Sequence, residues 1–183
     1  MPAQEILEPL GIVAPKLRSE LESVAMSVSE GRKARPEGQR QEKKMEIKKY
    51  THYVQYYETD KMGITHHSNY VRWMEEARVD FLRQIGWDYA RLEAEGIISP
   101  VVGVSCKYKH TTTFADTVTI EVKVAEYSGI KLRLSYTMTN EKGEVCCNGE
   151  SEHCFVNADG RIVMIKKDYP AFHELLTSLI EKK

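Results

Sequence analysis

The fold is decided by the stretch at residues 69–85, NYVRWMEEARVDFLRQI, and by the change of pattern that follows it. Ser68 is a suitable N-cap and Gly86 a suitable C-cap, so we expect one long helix here. The apolar residues recur three or four positions apart and form one narrow stripe: Tyr70, Met74, Ala77, Phe81 and Ile85. A shorter helix is predicted at 88–95, before Gly96.

The segments on either side of this helix follow a two-residue period instead. Residues 46–57 are rich in Tyr and Val and predict a first strand, which a loop at 59–68 joins to the helix. After Pro100 the alternation is typical of half-buried antiparallel strands. The four strands predicted there are 102–108, 118–124, 131–138 and 144–156. A last helix begins at Pro170. We therefore predict an α+β fold, a curved antiparallel sheet wrapped around the long helix.

The composition excludes several classes of protein. Among 183 residues, 26 Lys and Arg oppose 27 Asp and Glu, and a net charge of -1 argues against a nucleic-acid-binding face. No apolar run approaches the ~20 residues of a membrane-spanning helix. The four cysteines include the adjacent pair Cys146 and Cys147, a poor start for a disulfide framework, so we expect a cytoplasmic protein.

The chain divides into two parts by composition. Residues 1–44 hold four of the six prolines and no aromatic residue, so we predict a disordered or loosely structured N-terminal extension. A basic tether for a partner protein is an alternative, because residues 31–44 carry six basic and two acidic side chains. Translation starting at Met45 is another. Residues 45–183 are predicted to form one folded domain.

The candidate site is the loop before the long helix, YETDKMGITHHSNY at residues 57–70. A helix N-terminus presents free N–H groups and the positive end of the helix dipole, which stabilise a developing oxyanion. The residue types predict attack on an acyl carbonyl, with Asp60 as nucleophile or base and loop and helix amides as oxyanion donors. Alternatively, Asp60 only closes an Asx-turn before Gly63.

Other candidate groups predict less chemistry. His66 and His67 are adjacent and are expected to point in different directions, so no metal site is predicted. His153 and the neighbouring cysteines lie on one strand and are predicted to be ordinary core or surface residues. Glu75 and Glu76 are rival carboxylates, but both lie away from the apolar stripe, which favours ion pairs with Arg72 or Arg78.

These residues resemble the signature of a known family. The pattern is Asp60-x-x-Gly63-x-x-x-His67-x-Asn69-Tyr70, followed by Met74-Glu75-Glu76-Ala77-Arg78 and later by Thr113-Phe114-Ala115-Asp116-Thr117-Val118. It is similar to the 4-hydroxybenzoyl-CoA thioesterase family of hotdog-fold proteins, including the acyl-CoA thioesterases associated with the Tol-Pal system. The resemblance extends over nearly all of residues 46–181 and implies a hotdog domain at 45–183.

The resemblance also implies the reaction and the site. It implies hydrolysis of an acyl-CoA without a cofactor or metal, with Asp60 as the catalytic carboxylate, Gly63 permitting the tight loop and His67 assisting. The expected substrate contacts are Tyr57, His66, Asn69 and Tyr70. Family active sites resemble clefts between subunits, so a homodimer or homotetramer is expected. The chain departs from the family pattern at Lys61, Met62, Thr65 and His66, which leaves the acyl group open.

Two other functions compete with this one. A non-catalytic acyl-CoA or acyl-carrier binding module is possible on the same fold. Asp60 argues for the enzyme, because a pure binder has no need of a carboxylate facing the thioester. A hydratase is the third function. Hotdog hydratases also use an Asp and a His, but these two residues are closer in sequence than the seven positions that separate Asp60 from His67.

Overall fold

A computed structural model of the chain describes residues 45–180, so the predicted extension at 1–44 lies outside the described residues. Five strands form one antiparallel sheet in the order β1-β3-β4-β5-β2. The elements in chain order are β1 (Tyr50–Tyr53), α1 (Ser68–Gln84), α2 (Tyr89–Ala94), β2 (Val101–Tyr108), β3 (Thr117–Tyr127), β4 (Lys131–Thr139), β5 (Val145–Cys154), α3 (Ile165–Asp168) and α4 (Pro170–Ser178). This is the predicted α+β class with one long helix against an antiparallel sheet.

The apolar stripe of α1 packs against the sheet. Every residue predicted for that stripe is buried, together with alternating residues of β3 and β4. At Gly149 of β5, a Cβ atom would stand 2.6 Å from the Met74 sulfur. A glycine at this position therefore lets the Met74 side chain of α1 lie against the strand.

The segment before α1 differs from the prediction. The strand predicted at 46–57 is only Tyr50–Tyr53, and a 3₁₀ turn at Tyr56–Glu58 follows it. The turn forms because the Glu58 carboxylate accepts a hydrogen bond from the Gln55 amide at 2.7 Å. The N-cap prediction was also wrong. His67 is the N-cap, with helical backbone angles and no capping side chain, and Ser68 is the first helical residue.

The prediction that one face of the edge strand β2 is buried was wrong. Three of its valines are about half exposed: Val101 (51%), Val102 (55%) and Val104 (50%). The reason is the strand order, because β2 is the last strand of the sheet and pairs only with β5. Within residues 45–180, no helix is long and apolar enough to cross a membrane.

Candidate active site

The loop between the 3₁₀ turn and α1 is closed at its base by backbone contacts. Thr59 and Thr65 form an antiparallel bridge, and the His66 amide donates to the Glu58 carbonyl at 2.8 Å. At the tip, the Gly63 amide donates to the Asp60 carbonyl at 2.9 Å. Gly63 has a φ of +75°, a left-handed conformation that favours glycine, so its predicted role in the tight turn has a conformational basis.

Asp60 lies at this tip, partly exposed to solvent. Its Oδ1 atom accepts a hydrogen bond from the Met62 amide at 2.8 Å, which is the Asx-turn considered as an alternative. In the described part of the chain its second carboxylate oxygen accepts no hydrogen bond. The turn therefore holds the carboxylate in place and leaves one oxygen for a water molecule or a substrate.

The two histidines of the loop lie side by side. Their ring centroids are 4.2 Å apart with an interplanar angle of 35°, so the expectation that they point in different directions was wrong. The His66 ring also contacts the Ser68 hydroxyl, with Nδ1 and Oγ 2.8 Å apart. Among residues 45–180 no group of three or more His, Cys, Asp or Glu side chains could hold a metal ion.

The first amides of α1 are partly used by the loop itself. The Asn69 amide donates to the His66 carbonyl at 3.0 Å, and the Ser68 amide to the His66 ring at 3.4 Å. For the amide of His67, residues 45–180 provide no hydrogen-bond acceptor. The His67 amide at this helix terminus is therefore open to an oxyanion.

Two of the predicted substrate contacts lie beneath the loop. The Asn69 side chain is buried and donates to the Glu58 carbonyl at 2.8 Å. The Tyr70 hydroxyl contacts Thr112 Oγ1 at 3.0 Å, and burial raises the pKa of Tyr70. Both side chains support the loop from below. By contrast, Tyr57 is 78% exposed, and its predicted contact with substrate stays a prediction.

Glu58 is the residue of this region that the sequence analysis missed. Its carboxylate is buried, with 4% exposure, and three donors surround it: the Gln55 amide and the Trp73 indole at 2.7 Å, and His52 at 2.9 Å. Burial raises the pKa of Glu58, but the hydrogen bonds outweigh burial and the net pKa is lowered. A carboxylate two positions before Asp60 was the only signal in the sequence.

The rival carboxylates of α1 are engaged elsewhere. Glu75 forms a two-pronged ion pair with Arg78, at 2.7 and 3.0 Å, as predicted. Glu76 Oε2 lies 3.0 Å from the His52 Nδ1 atom and accepts a hydrogen bond from the Tyr50 hydroxyl at 3.0 Å. In these contacts neither carboxylate bonds to Asp60.

A second buried polar cluster crosses the sheet below α1. His153 Nε2 contacts the Ser151 hydroxyl at 2.7 Å, and Ser151 contacts the Tyr136 hydroxyl at 2.8 Å. Burial lowers the pKa of His153 to about 4, so its ring is neutral near pH 7. The prediction of an ordinary core position holds for His153, which is 1% exposed.

Comparisons with known proteins agree on one family. The description "Thioesterase-like superfamily" belongs to the family model that matches residues 54–177. A Bacillus subtilis protein, "Putative acyl-CoA thioesterase YneP", is 32% identical over 130 residues, which cover 70% of this chain and 94% of that protein. An Aquifex aeolicus protein, "Putative esterase", is 36% identical over 119 residues, 65% of this chain and 91% of that protein. The solved structure of a DHNA-CoA thioesterase from Staphylococcus aureus is 33% identical, with a TM-score of 0.68, and covers 71% of this chain and 88% of that one.

Proposed function

This chain belongs to the thioesterase-like superfamily and is a thioesterase, and from that premise we propose that it hydrolyses an acyl-CoA to the free acid and coenzyme A, with Asp60 as the catalytic carboxylate. The acyl-CoA substrates in the names of its relatives support this choice of thioester. The observation that carries the proposal is the Asp60 carboxylate, held by one oxygen and open at the other, at the N-terminus of α1. We also propose that the chain is of the acyl-CoA thioesterase type associated with the Tol-Pal system.

The reaction is best written with Asp60 as a general base. The carboxylate takes a proton from water as the water oxygen bonds to the thioester carbon, and the carbonyl oxygen becomes an oxyanion. When the C–S bond breaks, that proton passes to the thiolate of coenzyme A. A carboxylate can also attack the thioester itself, giving an anhydride that water then hydrolyses. Either route needs a donor for the oxyanion.

The His67 amide is the donor that we assign to the oxyanion. It lies at the positive end of the α1 dipole and has no acceptor within residues 45–180. A preorganised donor of this kind contributes about 3 kcal/mol or more to transition-state stabilisation. The contribution of His67 in this scheme comes from its backbone, whereas its ring contacts the ring of His66.

We also propose that two copies of the chain associate through β2. An open strand edge with exposed apolar side chains is a site that proteins usually cover. The half-exposed valines Val101, Val102 and Val104 give β2 such an edge, and Val71 of α1 extends the apolar surface with 38% exposure. A second copy pairing there would make the expected homodimer, or the dimer unit of a homotetramer.

The test is thiol release from short, long and aromatic acyl-CoAs, comparing wild type with Asp60→Asn. Asparagine keeps the side-chain oxygen that accepts from the Met62 amide, so the turn should survive while the charge is lost. We expect kcat/KM to fall by about 10²-fold or more. Asp159→Asn, in an exposed turn, is the matched control and should leave kcat/KM unchanged.

Two outcomes contradict the proposal in different ways. Full activity of Asp60→Asn, with circular dichroism matching wild type, would move the chemistry to Glu75, Glu76 or His67. Tight binding of acyl-CoA without turnover of any thioester would favour a binding module.

A further inference from the structure

We propose that His52 is a positioning residue for this reaction, an imidazolium clamped between Glu58 and Glu76 that holds the Asp60 loop in its catalytic geometry. The inference rests on the proposed function, because the loop that it positions carries the proposed catalytic carboxylate. His52 lies on β1, outside the loop and outside every motif of the sequence analysis.

The clamp follows from counting protons on the His52 ring. Nε2 lies 2.9 Å from Glu58 Oε2, and Nδ1 lies 3.0 Å from Glu76 Oε2, both hydrogen-bond distances. A neutral imidazole has one N–H and one lone pair, whereas an ionised carboxylate only accepts. Both ring nitrogens can therefore donate to ionised carboxylates only when the ring carries both protons. The side chain is 10% exposed, so water has little room to replace either partner.

The His52 ring is surrounded by groups from α1, β1 and β3. From α1, the Trp73 ring lies against His52, with centroids 4.6 Å apart and an interplanar angle of 32°, and Glu76 lies at Nδ1. From β1, the Tyr50 hydroxyl donates to the same Glu76 oxygen. Val118 of β3 is its cross-strand neighbour. Burial raises the pKa of Tyr50, as do Glu76 and Asp80, which lies one turn along α1 from Glu76.

The clamp reaches Asp60 through Glu58. The carboxylate of Glu58 joins His52 to Trp73, while its backbone carbonyl accepts from the His66 amide and the Asn69 side chain, both at 2.8 Å. One residue therefore ties the beginning of the loop to its end and both to the sheet and α1. Asp60 follows two positions later. Catalytic groups need placement within about 0.5 Å, so a shift of Glu58 is expected to lower kcat.

Loss of one proton from the His52 ring would make one of the two carboxylate contacts repulsive. A lone pair of the ring would then face a carboxylate lone pair at about 3 Å, and either Glu58 or Glu76 would move away. A rise in pH sufficient to remove one of the two ring protons is therefore expected to lower the activity.

Glu76→Gln separates this effect from other causes of an alkaline decline. The new carboxamide can donate an N–H to unprotonated Nδ1, while the ring donates from Nε2 to Glu58. We expect the ratio of kcat at alkaline pH to kcat at neutral pH to be higher in this variant than in wild type. Glu93→Gln, on exposed α2, is the matched control and should keep the wild-type pH profile. His52→Gln, whose single amide nitrogen cannot take the places of both ring nitrogens, should lower kcat by about 10-fold to 100-fold with little change in KM.

A readout independent of activity is the ¹⁵N NMR spectrum of the histidine rings in the full chain, with His52 assigned from the signals lost in His52→Gln. We expect imidazolium shifts for both His52 nitrogens at the pH of highest activity. A neutral ring at that pH, or identical pH profiles for wild type and Glu76→Gln, would overturn the clamp and leave the proposed function standing. An imidazolium in a wild-type protein that turns over no acyl-CoA would instead overturn the proposed function, and the positioning role with it.

Discussion

At the residue scale, the buried carboxylate of Glu58 depends on its donors. It accepts from Trp73 Nε1 at 2.7 Å, and the net effect of burial and hydrogen bonding is a lowered pKa. A lowered pKa means that the folded state binds the proton less tightly than the unfolded state. Glu58 therefore stabilises the fold above the pKa of the unfolded chain, and this contribution is lost as the pH falls through the folded-state pKa.

Trp73→Phe removes one of these donors and keeps an aromatic ring. We expect a loss of about 1–3 kcal/mol in the free energy of unfolding at pH 7, because a buried carboxylate loses a hydrogen bond. The pKa of Glu58 should rise, so the acid-induced loss of stability should begin at a higher pH. Urea denaturation across a pH series measures both effects.

The control for this prediction is Trp87→Phe. Trp87 is also buried and stacks on Phe172, but its indole N–H has no hydrogen bond within the described residues. Both substitutions remove a similar ring area, and Trp87→Phe also changes the contact of the Arg91 guanidinium, 3.7 Å from the Trp87 ring centroid. A larger loss in Trp73→Phe therefore indicates the hydrogen bond. Equal losses of stability and equal acid profiles would contradict the role given to Trp73.

At the element scale, the contact of α1 with β5 depends on Gly149. A Cβ atom there would stand 2.6 Å from the sulfur and 3.1 Å from the methyl carbon of Met74. We expect Gly149→Ala to displace the Met74 side chain and to lower the free energy of unfolding by about 1–3 kcal/mol, the usual range for overpacking. Thermal and urea denaturation give the measurement.

Gly103 of β2 is the matched position on the neighbouring strand. A Cβ atom there would meet only Glu152, at an ordinary 3.6 Å, so Gly103→Ala should change the stability by less than about 0.5 kcal/mol. If Gly149→Ala is tolerated as well as Gly103→Ala, the helix does not need a glycine beneath it.

At the scale of the whole molecule, the exposed edge of the sheet bears on the proposed homodimer. A lysine in the middle of β2 would place a charge where two apolar edges meet, and charged side chains on edge strands oppose edge-to-edge pairing. We expect Val104→Lys to be folded and to sediment as a monomer where wild type sediments as a dimer. Val104 is 50% exposed, so the substitution should cost the monomer little.

Ile162→Lys provides the comparison, because Ile162 is an exposed apolar residue outside β2, with 63% exposure. Its variant should keep the mass of wild type in sedimentation equilibrium. A wild-type monomer, or a Val104→Lys protein that remains a dimer, would show that β2 is not the subunit interface.

The sequence by itself determined the long helix, the strands after Pro100 and the fold class. The stripe of α1 and the alternation of β3 and β4 are local patterns, and burial follows them except at Val122, which is partly buried. The motif from Asp60 to Tyr70 and the order of elements indicated the hotdog fold, to which the comparisons agree. Local periodicity is sufficient here because a helix or a strand needs only its own spacing to define a buried face.

Only the tertiary structure decided which residues meet. Trp73 reaches Glu58 across 15 positions, and Glu76 reaches His52 across 24, so no local pattern could indicate their network. The exposure of β2 was also mispredicted, because alternation predicts a face but not whether another element covers it. That depends on the strand order, which places β2 at the open edge of the sheet. Long-range pairing therefore determined both the support of the Asp60 loop and the apolar edge.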